Sequence, residues 1–129
     1  MIDFYSRKFR RYEREIIQIL LDSLSSLTRE KLEKQISTIN RIQRANEDEV
    51  NFYRMKWGRP TFDESLKLEL KSEEFKVASL RFKNSVSELK VDIWIINGFL
   101  FSLEFSSFPK SFFNEKYEII EKLIFSRDD

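Results

Sequence analysis

The spacing that comes nearest to catalytic chemistry is Asp63 followed by Glu69-Leu70-Lys71. Two carboxylates and a lysine in a D…E-x-K arrangement are the parts of metal-dependent nucleases, where the acids hold a divalent ion and the lysine polarises water. The same E-x-K triplet also occurs at Glu74 to Lys76 and at Glu88 to Lys90. A chain that is 35% charged, with alternating strands that set opposite charges on a polar face, generates this pattern freely. The expectation for Asp63 and Glu69 is a solvated strand face, and a nuclease-like enzyme stands third among the functional readings.

Composition closes most other reactions. The 129 residues contain neither histidine nor cysteine, which removes zinc sites of the usual kind, Ser-His-Asp and Cys-His nucleophiles, and histidine general bases. No disulfide can form, which fits a reducing cytoplasm. Gly58 and Gly98 are the only glycines, so no glycine-rich phosphate loop can be built. No catalytic residue, metal or cofactor is assigned, and the chain reads as a non-enzyme.

Binding residues are better represented. "SRKFRRYER" gathers Arg7, Lys8, Arg10, Arg11 and Arg14 around Phe9 and Tyr12. Cations in the first turns of a helix oppose its dipole, a cost that invites an anionic partner such as a phosphate backbone. The opposing reading is a solvated helix face in a protein whose net charge is only +1. "YRMKWGRPTF", Tyr53 to Phe62, interleaves aromatics with Arg54, Lys56 and Arg59. It could stack single-stranded nucleic acid, but a helix end with Tyr53 and Trp57 buried and Gly58 turning the chain is the favoured expectation. Trp57-Gly58 with Pro60, ahead of an antiparallel sheet, resembles the SMI1/KNR4 superfamily over those few residues, and many bacterial members of that superfamily neutralise toxins as immunity proteins. The resemblance implies an immunity-like role; the superfamily's acidic character and later glycine-bearing strand pattern do not appear in this chain.

The elements that must carry these residues follow from periodicity. Tyr5, Phe9, Tyr12, Ile16, Ile19, Leu20, Leu24 and Leu27 mark one face of a first helix, and Leu32, Ile36 and Ile39 begin a second after a turn supplied by Ser25, Ser26 and Thr28. A third helical stretch is expected through Val50, Tyr53 and Trp57, with a restart at Asn46 and an end at Gly58-Arg59-Pro60. Period two then takes over, predicting four strands through Leu66–Leu70, Ala78–Phe82, Leu89–Ile95 and Phe99–Phe105. A last helical stripe runs through Phe113, Tyr117, Ile120 and Ile124. The expectation is one α+β domain over residues 1–129: two to three N-terminal helices, a four-stranded antiparallel meander, and a C-terminal helix packed on one sheet face. The run "IIQILLDSL" is too short to span a bilayer and carries Asp22, so no membrane span and no signal peptide are expected.

Asn97-Gly98 marks the last hairpin. A two-residue turn pairs Ile96 with Phe99 and would drive the apolar rows of the two strands to opposite faces. Moving Ile96 into the loop instead pairs Ile95 with Phe99, Ile93 with Phe101 and Val91 with Leu103, so this shifted register is expected. It leaves Trp94, Ile96 and Leu100 together as an apolar island on the polar face, to be covered by another part of the chain, by a second copy in a homodimer, or by a protein partner. The preferred function is therefore a cytoplasmic, non-catalytic protein-binding module of immunity-like or adaptor type. The alternative is a nucleic-acid binder using the basic N-terminal helix face.

Overall fold

The computed structural model describes residues 9–125. The first stripe becomes α1 (Arg11–Asp22), which buries Tyr12, Ile16, Ile17, Leu20 and Leu21. Its basic start is offset locally. Glu13 Oε1 accepts the backbone N–H of Arg10 at 2.8 Å, placing an acid against the positive end of the dipole. Ser23 ends the helix by donating its hydroxyl to Ile19 O, and α2 (Ser26–Thr38) follows, burying Leu32, Gln35 and Ile36.

The expected third helix is absent. Its residues form a β-hairpin, β1 (Arg41–Ala45) and β2 (Glu49–Tyr53), in which Ile42 faces Phe52 and Arg44 faces Val50. Asn46 and Glu47 both take left-handed backbone angles, at φ 52° and 63°, so the residues expected to restart a helix turn the chain instead. A second, two-stranded hairpin of β3 (Met55–Lys56) and β4 (Arg59–Pro60) turns on Trp57 and Gly58, both again left-handed. The first expected strand is also absent, because Asp63 caps a 3₁₀ turn over Glu64–Leu66 by accepting the N–H and hydroxyl of Ser65.

Alternation then holds through β5 (Glu74–Asn84), β6 (Glu88–Ile96) and β7 (Phe99–Phe105), a three-stranded meander. After a short α3 (Pro109–Phe113) the expected C-terminal helix is replaced by β8 (Tyr117–Ile124), which pairs with β5. A free edge on an eleven-residue strand presents unpaired backbone groups, and "YEIIEKLI", rich in β-branched isoleucine, satisfies them as a strand. The result is a mixed α+β fold around a six-stranded antiparallel sheet in the order β1-β2-β7-β6-β5-β8.

The register of β6 and β7 differs from both alternatives drawn from the sequence. Asn97 and Gly98 form a two-residue turn with φ 51° and 86°, pairing Ile96 with Phe99 and Ile95 with Leu100. Phe101 is then an extra residue, so Trp94 pairs with Ser102, Ile93 with Leu103 and Val91 with Phe105. A bulge thus restores what a longer loop was expected to provide: Leu89, Val91, Ile93, Leu103 and Phe105 share one buried face with Val50, Phe52, Leu80 and Phe82. All three helices lie on that face, α3 through Phe113, whose ring meets Tyr12, Phe82 and Phe105. No helix of the described residues is long and apolar enough to cross a membrane.

Two polar side chains tie the layers together. Glu13, fully buried, accepts from Arg44 Nε at 2.9 Å and Nη2 at 2.7 Å, joining α1 to β1. Gln35, on α2, donates to Leu66 O and Gly98 O and accepts the N–H of Leu100. Together with the Leu68 N–H to Gly98 O bond, it pins the β6–β7 turn to α2 and to the 66–68 chain.

Candidate protein-binding surface

The two-residue turn, with the bulge at Phe101, redistributes the expected Trp94, Ile96 and Leu100 island. Leu100 pairs with Ile95 and is 2% exposed, so it belongs to the core rather than to the outer face. Trp94 and Ile96 remain on the outer face, two residues apart on β6 and both half-buried. Trp94 sits in a cross-strand row, Gln43-Asn51-Ser102-Trp94-Lys76, that crosses five strands. The Lys76 ammonium lies 5.9 Å from its ring centroid and 5.6 Å from that of Phe125. The indole is thus engaged by its own sheet, and its Nε1 is buried.

Ile96 enters a different grouping. With Phe62, Phe99 and Phe101 it lines an open cavity of about 480 Å³, flanked by Glu64 and Lys67. Phe62 stacks on Phe99 with ring centroids 4.9 Å apart, and Tyr53 meets Phe101 edge-on at 5.2 Å. Three aromatic rings and an isoleucine therefore floor a concave site at the end of the sheet where β6 turns into β7.

The β3–β4 hairpin leaves from that same end. In the β2–β7 register, Asn51 faces Ser102, which brings Tyr53 to the level of the β6–β7 turn, and the hairpin begins two residues later. Its tip holds Trp57, 91% exposed, among the cations of Arg54, Lys56 and Arg59. The expectation of a buried Trp57 is overturned, because a turn of two left-handed residues points the indole away from the sheet. The hairpin is nevertheless anchored. Asn40 donates from Nδ2 to Met55 O at 2.9 Å and accepts from Met55 N at Oδ1, copying with a side chain the paired bonds of a strand neighbour. Thr61 N–H closes the other end on Arg54 O.

The basic cluster is only partly described: Arg7 and Lys8 lie outside the described residues. Arg10 donates to the Tyr12 hydroxyl, Arg11 pairs with Glu15 at 3.1 Å, and Glu15 also accepts the hydroxyl of Tyr117. Arg10 and Arg11 thus have partners within their own surroundings.

The carboxylates of the nuclease-like spacing have local work. Asp63 is held below the usual carboxylate range, first by the Ser65 hydroxyl and then by the Ser65 N–H that it caps. Among the described residues no three Asp or Glu side chains come together in a way that could hold a metal ion. Acids do gather on the outer face, where Glu104 stands directly between Glu49 and Asp92. Desolvation, then Glu49, Asp92 and Asp48, raise its pKa.

Sequence reasoning missed Phe101 as a surface former because the register that turns it outward depends on a bulge. An Asn97-Gly98 pair read strictly as a two-residue turn, together with the demand that both apolar rows reach one core, contains the signal. No family model, curated protein or solved structure matches this chain.

Proposed function

We propose that this chain is a non-catalytic protein-binding module that uses the Trp57 hairpin and the neighbouring aromatic groove to engage a partner with an acidic, concave surface. The observation that carries the reading is Trp57: a 91% exposed indole on an anchored turn. Leaving a tryptophan in water forgoes roughly 2–3 kcal/mol of burial, whereas tryptophan is among the residues enriched at interface hot spots. Arg54, Lys56 and Arg59 around it would steer the hairpin toward negative charge and lend rim contacts. An immunity-like or adaptor role suits such a preformed knob beside a groove, since neither requires chemistry.

The same exposed ring among cations supports a second reading, stacking on single-stranded nucleic acid. Partner capture from native lysate, compared between wild type, Trp57→Ala and Ile96→Asp, tests the first. The expectation is a protein whose recovery falls about thirtyfold or more with Trp57→Ala and survives moderate salt. If recoveries are equal among the three, the protein-binding reading fails. Titration of single-stranded oligonucleotides against Trp57 fluorescence tests the second. Binding that collapses with rising salt would replace a protein partner by a nucleic acid.

A further inference from the structure

Between the α1–α2 turn, the 65–70 chain and β5 lies an open cavity of about 550 Å³, within the ~300–1,000 Å³ span of small-ligand sites. Leu68, Val77 and Ile95, all core residues, form its floor, and Leu24, Leu70 and Phe75 its walls. Polar groups stand at the rim. Glu30 is matched there by Lys34, at 3.3 Å. Lys31 has no such match: on a residue that is itself partly exposed, its ammonium donates to the backbone carbonyl of Lys67 at 3.1 Å and makes no ion pair with a described carboxylate, although Glu69 lines the same cavity. An ammonium whose one acceptor is a neutral carbonyl keeps two N–H donors for an anion beside it. The first turn of α2 borders the same cavity without an acidic residue or a side-chain cap, so its field has the same sign.

We propose that this cavity is a binding site for a medium-chain carboxylate, its alkyl tail on the Leu68, Val77 and Ile95 floor and its carboxylate on Lys31. The apolar floor accounts for the tail, and the unmatched ammonium at the mouth accounts for the head. The site is separate from the Trp57 hairpin and independent of the function proposed for it.

Dodecanoic acid and dodecan-1-ol, titrated below their self-association limits by calorimetry, separate the two contributions. Dodecanoic acid should bind saturably and more tightly than the alcohol. Lys31→Met should weaken the acid about tenfold, the loss of one charge-assisted contact, and leave the alcohol unchanged. Leu70→Trp, at a half-buried wall position, should block both while the far-UV circular dichroism stays that of the wild type. Absence of saturable binding overturns the proposal, as do equal affinities of acid and alcohol, an acid affinity indifferent to Lys31→Met, or binding untouched by Leu70→Trp.

Discussion

The Glu13–Arg44 pair offers the sharpest test of how this fold is held. Glu13 is fully buried and its carboxylate accepts three hydrogen bonds, from Arg10 N and from Nε and Nη2 of Arg44. Arg44 keeps 24% of its side chain in water, so the two partners are not equivalent. Arg44→Met strands a buried carboxylate with one N–H, a change expected to cost about 3–5 kcal/mol. Glu13→Leu leaves a guanidinium that can turn to solvent and an Arg10 N–H without its acceptor, for about 2–3 kcal/mol. The double replacement removes both charges and retains only the Arg10 loss, so about 1–2 kcal/mol is expected. The coupling energy is then about 4–6 kcal/mol, read as the shortfall of the double variant from the sum of the singles. The Glu13 hydrogen bonds push the Arg44 pKa further up, so the guanidinium stays charged and the coupling persists across neutral pH. Urea unfolding followed by circular dichroism supplies the four free energies, provided the denaturant slope is unchanged. An Arg44→Met cost below about 1 kcal/mol, or a double variant as unstable as the sum, would refute the claim that this pair joins α1 to the sheet.

The two glycines should respond unequally to alanine. At Gly98, φ is +86° and an added Cβ would stand 2.5 Å from Leu68 O, so left-handed strain of about 1–2 kcal/mol is compounded by displacement of the 67–68 chain and a total above about 3 kcal/mol is expected. Gly58 has φ +73° and no heavy atom within 4 Å of that Cβ, so only the strain applies; equal losses of melting temperature in the two variants would reject the contrast. Glu104 gives a pH signature. Its raised pKa means that the folded chain holds a proton there at pH values where the unfolded chain has released it, so stability falls as pH rises through the interval just above the ordinary glutamate range. Glu104→Gln should therefore match the wild type in acid and exceed it at neutral pH by about 0.5 kcal/mol, a gain screened by salt because the side chain is exposed; thermal unfolding against pH checks both the sign and the window.

The parts of the fold legible in the sequence are those where one periodicity had no rival. Ala78, Leu80 and Phe82 on β5, and Leu89 to Ile95 on β6, alternate without interruption. Between those strands Asn84 turns the chain, its Oδ1 accepting the N–H groups of Val86 and Ser87. The first helix was equally plain from Tyr12 to Leu21. Misreadings arose where apolar spacing fits two periods. Val50, Tyr53 and Trp57 are separated by three and four residues, as in a helix, yet Val50 and Phe52 also alternate. The decision fell to Asn46 and Glu47 in left-handed backbone, a conformation that glutamate does not announce. Phe113, Tyr117, Ile120 and Ile124 likewise fit a helix, and only the unpaired side of β5, a tertiary fact, makes most of that segment a strand. Leu66, Leu68 and Leu70 alternate convincingly, but Asp63 and Ser65 close a local turn before a ladder can form.

The candidate surface depends on a single residue of register. With Asn97 and Gly98 alone in the turn, an uninterrupted ladder would place Ile93 opposite Ser102 and split the core; the extra residue at Phe101 cancels that split by turning outward itself. The two-residue turn sets Leu100 inward beside Ile95, where its N–H reaches Gln35, and the half-buried Phe101 meets Tyr53 while buried Phe99 stacks on Phe62 beside Ile96. Because Gly98 O is held by both Gln35 and Leu68, the turn that supports this aromatic grouping is fixed from beneath by α2. A groove on a pinned turn and a tryptophan on an anchored hairpin, both at one end of the sheet, lose little conformational freedom on meeting a partner. That economy would be absent if the apolar island of Trp94, Ile96 and Leu100 had formed on an open strand face. The bulge therefore both completes the core and creates the preorganised surface, which is why the core and the proposed binding site cannot be altered independently at Phe101.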